Sequence, residues 1–254
     1  MPVDVALTAT VRGPLRVYPI DFAREYGVDA FFTDRAGGVS SAPFDALNLA
    51  QHVGDRSSDV EENRSRLARA SGVERHRLVF VNQVHGADVL HVTEPLSGAT
   101  ADAMVSEVGD LAVAILMADC VPVLMVDAAS GRLAVVHAGW RGLHQGVLPN
   151  AVRAFVDGAA LHAFIGPSIS QRAYQVGPEV ARHFADVPGA LVTDVEDRSR
   201  LDLRRVVEHQ LATLGLRDEH VRVSRETTDG GSIFFSDRAR RPCGRFALVA
   251  KRSS

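Results

Sequence analysis

Two histidines and one cysteine near the middle of the chain are the residues best suited to chemistry. His85 lies in Asn82-Gln-Val-His-Gly86, Cys120 in Ala118-Asp-Cys-Val-Pro122, and His137 in Val136-His-Ala-Gly-Trp-Arg-Gly142. Each segment stands at the end of an apolar run of strand length. If those strands are neighbours, the three side chains converge at one edge of a sheet. Two imidazoles and a thiolate make a zinc-type donor set, and three protein ligands leave a fourth position open. Such an ion would hold Cys120 as thiolate, lower the pKa of a bound water and polarise a substrate atom. The spacing is not that of a local zinc motif. A cysteine between apolar strands is more often a small buried hydrophobe, and a lone histidine more often a surface or hydrogen-bonded group. Spacing alone leaves both readings open.

The elements that must position these residues are legible as runs. Residues 111–118, 121–126 and 133–137 are continuous apolar stretches of strand length, with a hairpin turn at 128–131. Further strands are expected at 29–33, 78–84, 88–92, 160–165, 221–223, 233–235 and 245–249, and a short strand pair or arm at 1–16. A helix is expected from Ser57 and Ser58 to about Ala70, with Asp59, Glu61 and Glu62 in its first turn and Gly72 as its stop. Others are expected from about Leu148 to Val156 and over 178–184. The last spans 201–214, where Leu203, Val206, Val207, Leu211 and Leu214 repeat with a helical period and Gly215 follows. Helices and strands intermix along the whole chain. The class is α/β with mixed α+β layers, a mixed sheet flanked by helices, in a single domain over residues 1–254.

Composition narrows the function. Of 254 residues, 46% are apolar and 23% charged, the balance of a globular protein rather than a disordered or fibrous one. The formal net charge is −3 and no segment is strongly basic, so no nucleic-acid partner is expected. Cys120 and Cys243 make no disulfide framework. The run 111–118 stops at Asp119, well short of the about 20 residues of a membrane span. The N-terminus carries Asp4, Arg12 and Arg16 where a signal peptide would be apolar. A cytoplasmic protein with no membrane partner, monomer or homodimer, is expected.

Longer strings carry a resemblance. Thr33-Asp-Arg-Ala-Gly-Gly-Val-Ser40, Leu47-Asn-Leu49, His52-Val-Gly-Asp55 and Asn63-Arg64 precede the three segments above. Ala101-Asp-Ala103, Ile165-Gly-Pro-Ser-Ile169, Tyr174-Gln-Val-Gly177, Phe234-Phe-Ser236 and Gly244-Arg245 complete the series. In this order, across nearly the whole chain, they resemble the YfiH family, also labelled laccase-domain, polyphenol oxidase or purine nucleoside phosphorylase. The resemblance implies a layered single domain. It also implies zinc held by His85, Cys120 and His137. Members cleave adenosine, inosine or methylthioadenosine with phosphate, and some deaminate adenosine. The partners implied are a purine nucleoside and phosphate. Two departures bear on the pocket and hence on base preference: Thr227 stands where the family has a cysteine, and Asp237 where it has an aromatic residue. Cys243 is not a family ligand.

With that resemblance, other residues gain roles. Arg35, beside Gly37-Gly38, could hold phosphate with the loop amides, or make a tight turn. Arg141 suits an anionic or ribose oxygen, or an ion pair with Asp119 or Asp102. The amides of Asn48 and Gln83 suit a nucleoside, or satisfy loop backbone. Asp119 is the first acidic candidate for orienting a ligand or moving a proton, with Asp102 the second. Cys120, Asp119 and Arg141 form the catalytic set, and Arg35, Asn48 and Gln83 the substrate-binding set. Trp140 reads as core, and His52 and His144 as solvated or structural. The alternatives are a copper-dependent polyphenol oxidase, a cysteine hydrolase acting on cell-wall precursors through Cys120 and His137, and a nucleoside-binding module without turnover. None of the histidines forms the HxH pair common in multicopper sites.

Overall fold

The computed structural model describes residues 1–155, 160–229, 231 and 233–253. Its strands divide between two large sheets and a small one. The six-stranded sheet runs, in spatial order, Thr10–Arg12, Leu15–Pro19, Val28–Thr33, Phe246–Arg252, Ala112–Met117 and Leu78–Phe80. Only its last pair is parallel. The seven-stranded sheet runs Val3–Val5, Val221–Ser224, Leu161–Ile165, Val121–Asp127, Leu133–Ala138, Ala103–Ser106 and Val89–His91, with parallel and antiparallel pairs. Gln175–Val176, Ser199–Leu201 and Leu191–Thr193 form the small antiparallel sheet.

Alternation of side chains along these strands builds three cores. Leu124, Val126, Leu133 and Val135 point inward from the seven-stranded sheet, onto Val113, Ile115, Met117 and Leu248 of the other. On the outer face, Val121, Val123, Val136 and Ala138 pack on the helices Trp140–Gln145, Val147–Arg153 and Leu203–Thr213. Ala112, Ala114 and Leu116, on the far face of the six-stranded sheet, cover Leu67 and Ala68 of the helix Ser57–Ala70. The layers are therefore helix, sheet, sheet, helix. The central strands are buried on both faces, which is why the sequence shows unbroken apolar runs rather than alternation.

The mixed α/β class and most elements agree with expectation. Three differences have physical causes. Residues 233–235 are not a strand: Phe234 and Phe235 are buried from a loop, and the Phe234 ring packs 5.6 Å from Tyr18 and 4.9 Å from Phe246. Aromatic residues favour strands because they fill half-buried surfaces, and a loop can fill the same surface. The helix expected from Leu148 begins instead at Trp140 and divides at Gly146, whose φ is 89°. Pro149 then falls in the first turn of the second piece, where its missing N–H costs no helical bond. The expected end at Val156 lies outside the described residues. The strands Ala103–Ser106 and Gln175–Val176 were not expected, being too short to show a period. No helix among the described residues is long and apolar enough to cross a membrane.

Several chain crossings tie the sheets together, and two of them bear on the site. The segment after Leu78–Phe80 leaves the six-stranded sheet for Val89–His91, and the segment after Ala112–Met117 leaves it for Val121–Asp127. The two departing strands are parallel neighbours, so both crossings lie at one end of the sandwich. Gly166 packs nearby: a Cβ there would stand 2.3 Å from Phe32 Cζ and 2.8 Å from Pro122 Cγ. Gly166→Ala is expected to lower stability by about 1–3 kcal/mol through overpacking. Urea unfolding with an unchanged m-value is the check.

Candidate metal centre

The two crossings and one strand end deliver the donor trio. His85 is on the first crossing and Cys120 on the second. His137 is near the end of Leu133–Ala138, in register with Pro122. One donor atom from each of His85, Cys120 and His137 lies within 4.8 Å of the others. The two imidazole rings are 4.8 Å apart and steeply inclined. His85 has φ 60° and Asp119, just before the cysteine, φ 92°. Left-handed backbone at residues other than glycine is strained and needs surrounding structure to hold it.

Asp102 supplies much of that hold. It is fully buried, one residue before the strand Ala103–Ser106. Its carboxylate accepts the backbone N–H groups of Val84 (3.2 Å), His85 (3.0 Å) and Gly86 (2.6 Å). Its Oδ1 also lies 2.8 Å from His137 Nδ1. The second imidazole nitrogen, Nε2, is thereby left for the centre, as a metal-bound histidine requires. Burial works to raise the Asp102 pKa, but His137 and the amides outweigh it and hold the carboxyl below its ordinary value. The proton donor to the carboxylate is therefore His137, and of the two acids weighed from sequence it is Asp102 that orients a ligand. Gly139 closes the other side. A Cβ there would stand 3.0 Å from both Cys120 Sγ and His85 Cδ2.

The electrostatics suit a thiolate ligand. Burial alone would push the Cys120 thiol up, but His137 and His85 overcome it and bring the pKa down to about 6. His137 moves the opposite way: burial lowers it, and Cys120 and Asp102 raise it to about 9. Cys243 behaves as an ordinary buried thiol, pushed up by burial. A soft thiolate and two imidazoles, one already oriented from behind, fit zinc, and the same set accepts copper.

The trio opens into a cavity of about 920 Å³. Five arginines line it (Arg64, Arg141, Arg238, Arg241 and Arg245) against two aspartates, Asp119 and Asp237. Such an excess of one sign draws anions into a cleft. Gln83 lines the cavity, but its amide pairs with the backbone N–H and C=O of Leu116 at 2.8 Å each. Asp119 lines it too, and its oxygens accept from Thr228 Oγ1 (2.5 Å) and Arg238 N (2.7 Å). Asp237 is clamped by Arg241 and Arg245.

Arg35 and Asn48 are not among the lining residues. Arg35 donates to the backbone and carboxylate of Asp45 and lies over the Phe235 ring. Asn48 is fully buried, its amide bonded to Ala50, Asp55 and the Arg245 N–H. Both take the loop-stabilising alternative weighed from sequence. Arg141 pairs with neither Asp119 nor Asp102 and lies over the Trp140 ring. Sequence reasoning gave no role to Tyr174, Arg64 or Arg238, and took His52 as structural, yet all four line the cavity. The only signal was that His52, Arg64 and Tyr174 stand inside the strings that carried the resemblance.

Comparison with known proteins agrees with that resemblance. A family model described as multi-copper polyphenol oxidoreductase laccase matches residues 29–253. A purine nucleoside phosphorylase of Mycobacterium tuberculosis is 41% identical over 224 residues, which cover 85% of this chain and 89% of that protein. The purine nucleoside phosphorylase YfiH of Escherichia coli is 39% identical over 226 residues, covering 87% and 92%. The crystal structure of YlmD from Geobacillus stearothermophilus matches with a TM-score of 0.90 at 29% identity, over 98% of this chain and 99% of that one. That of YfiH from Bacillus licheniformis gives 0.88 at 29% identity, over 96% and 98%.

Two measurements test the centre. In metal-free protein, thiolate absorbance from Cys120 is expected to grow in around pH 6 and to vanish in Cys120→Ala. Because a metal must displace the His137 proton, held up to about pH 9, and needs the Cys120 thiolate, lost as pH falls through about 6, metal affinity should fall as pH drops below about 9 and more steeply below about 6. Asp102→Asn is expected to lower metal affinity about 10–100-fold, read by chelator competition.

Proposed function

The chain belongs to the YfiH family of laccase-domain proteins, and from that membership we propose that it is a zinc-dependent purine nucleoside phosphorylase of the cytoplasm. Its substrates would be phosphate and adenosine, inosine or methylthioadenosine. The observation that carries this reading is the oriented trio of His85, Cys120 and His137 opening into an arginine-rich cavity. The relatives named above support it.

In the reaction, a phosphate oxygen attacks the anomeric carbon of the sugar. The glycosidic C–N bond breaks, its electron pair passes to the base, and the base takes the proton that the attacking hydrogen phosphate gives up. The products are free base and sugar 1-phosphate. Zinc held by His85, Cys120 and His137 supplies a Lewis acid. The chain's own residues hold and orient: Asp102 fixes the His137 ring and the His85 loop. The arginines of the cavity offset the charge of phosphate. Deamination of adenosine is proposed as a second activity, in which water adds to the amino-bearing carbon of the purine ring rather than to the sugar, and ammonia leaves.

Copper is the alternative ion at the same donors. A multinuclear copper cluster needs more donors than this trio, the one such group found among the described residues. One observation favours a second reading. A thiol with a pKa of about 6 beside His137 is also the pair a cysteine hydrolase would use.

Turnover of the three nucleosides, with and without phosphate, on zinc-assayed protein separates these readings. Phosphate-dependent release of base that falls to background in His85→Ala and Cys120→Ala is the expected result. Folded, zinc-loaded protein that releases no base would overturn the phosphorylase. Rapid alkylation of Cys120 that zinc does not prevent would favour the hydrolase.

A further inference from the structure

The arginines of the cavity are not equivalent. Arg241 and Arg245 share the one carboxylate of Asp237. Arg64 lies over the Phe80 ring, its Nε donates to Leu49 O, and burial lowers its pKa to about 10. Arg141 and Arg238 share with Arg64 the lack of a carboxylate partner and a place over a ring, but they are exposed where Arg64 is half-buried. Among the described residues neither is within ion-pair distance of a carboxylate. Each guanidinium lies 5.1 Å over an aromatic ring, Arg141 over Trp140 and Arg238 over Tyr174. Arg238 has one bond, from Nη1 to Gln175 O at 3.0 Å.

Both are tethered next to the metal donors. The Arg238 N–H is held 2.7 Å from Asp119, the residue before Cys120. Arg141 begins one residue after Trp140, in the turn that packs Gly139 on Cys120 and His85. Tyr174 links the two. Burial above all pushes its phenol up, and its ring lies under the Arg238 guanidinium in the cavity that Arg141 and Cys120 also line. That hydroxyl stays protonated, able to donate. No protein partner for it exists among the described residues.

Resting on the phosphorylase reading, we propose that Arg141 and Arg238, with the Tyr174 hydroxyl, form the subsite that takes the phosphate dianion. A guanidinium stacked on a ring keeps its N–H edge free and loses little freedom on pairing. Two such edges and a hydroxyl match the oxygens of one phosphate. Arg141, Arg238 and Tyr174 line the same cavity as the trio, and His52 and Phe80 on the rest of its wall are left for the nucleoside. The subsite replaces the Arg35 loop, whose guanidinium is held by Asp45.

The test uses full-length, zinc-loaded protein and inorganic phosphate. Phosphate Kd is read by calorimetry, and KM for phosphate and for inosine by turnover. Arg141→Met and Arg238→Met are each expected to weaken phosphate binding about 10–100-fold, the loss of a charge-assisted pair. The KM for inosine should move less than about twofold. Tyr174→Phe should cost less, and Arg64→Met should weaken phosphate binding less than either of the other arginine variants. Unchanged phosphate Kd in both of those variants, or a loss in Arg64→Met as large as theirs, overturns the subsite. Wild-type protein that binds no phosphate overturns it as well. Phosphate binding that depends on Arg141 and Arg238 without nucleoside turnover sinks the phosphorylase reading while keeping the anion subsite.

Discussion

One buried carboxylate governs the geometry of the centre. Asp102 joins the loop of His85 to the ring of His137 through four hydrogen bonds on a single side chain. A carboxylate in low dielectric needs such partners, since an unpaired buried charge is costly. Here the partners are the pieces a metal centre must hold still. The left-handed φ of His85 is tolerated because three successive N–H groups are fixed on the same acid.

The remaining donor arrives by topology. Cys120 stands on a chain segment that passes from one sheet to the other, and His85 on a second such segment at the same end of the sandwich. Neither loop is free to drift. Strands buried on both faces anchor the Cys120 crossing, and Gly139 admits Cys120 and His85 to close approach. A site assembled on element ends in this way is more rigid than one carried on long loops.

Hydrogen-bond accounting then sorts the cavity wall. Gln83, Asp119 and Asp237 line it but already have partners within the protein. Their work is to hold loops, and the two departures from the family pattern enter here. Asp237 fixes Arg241 and Arg245, while Thr228, next to Thr227, donates to Asp119. Groups without protein partners are the ones able to recognise a ligand.

The sequence by itself determined a good deal. Apolar runs marked the central strands, because burial on both faces leaves no polar alternation. Glycines marked the helix stops at 72 and 215, where φ is positive. His85, Cys120 and His137 stood out because few residue types bind soft metals. Arg35, Asn48 and Gln83 already have partners within the protein, which sequence could not show for a common reason. An arginine or amide looks equally available in sequence whether or not its partner, here Asp45, Asp55 or Leu116, has been brought beside it. Only the tertiary structure decided which polar groups are satisfied, that Asp102 rather than Asp119 stands behind a ligand, and that Tyr174 and Arg238 line one cavity with Cys120. Those are facts about distance between segments far apart in the chain, and local pattern carries residue type and period but not distance.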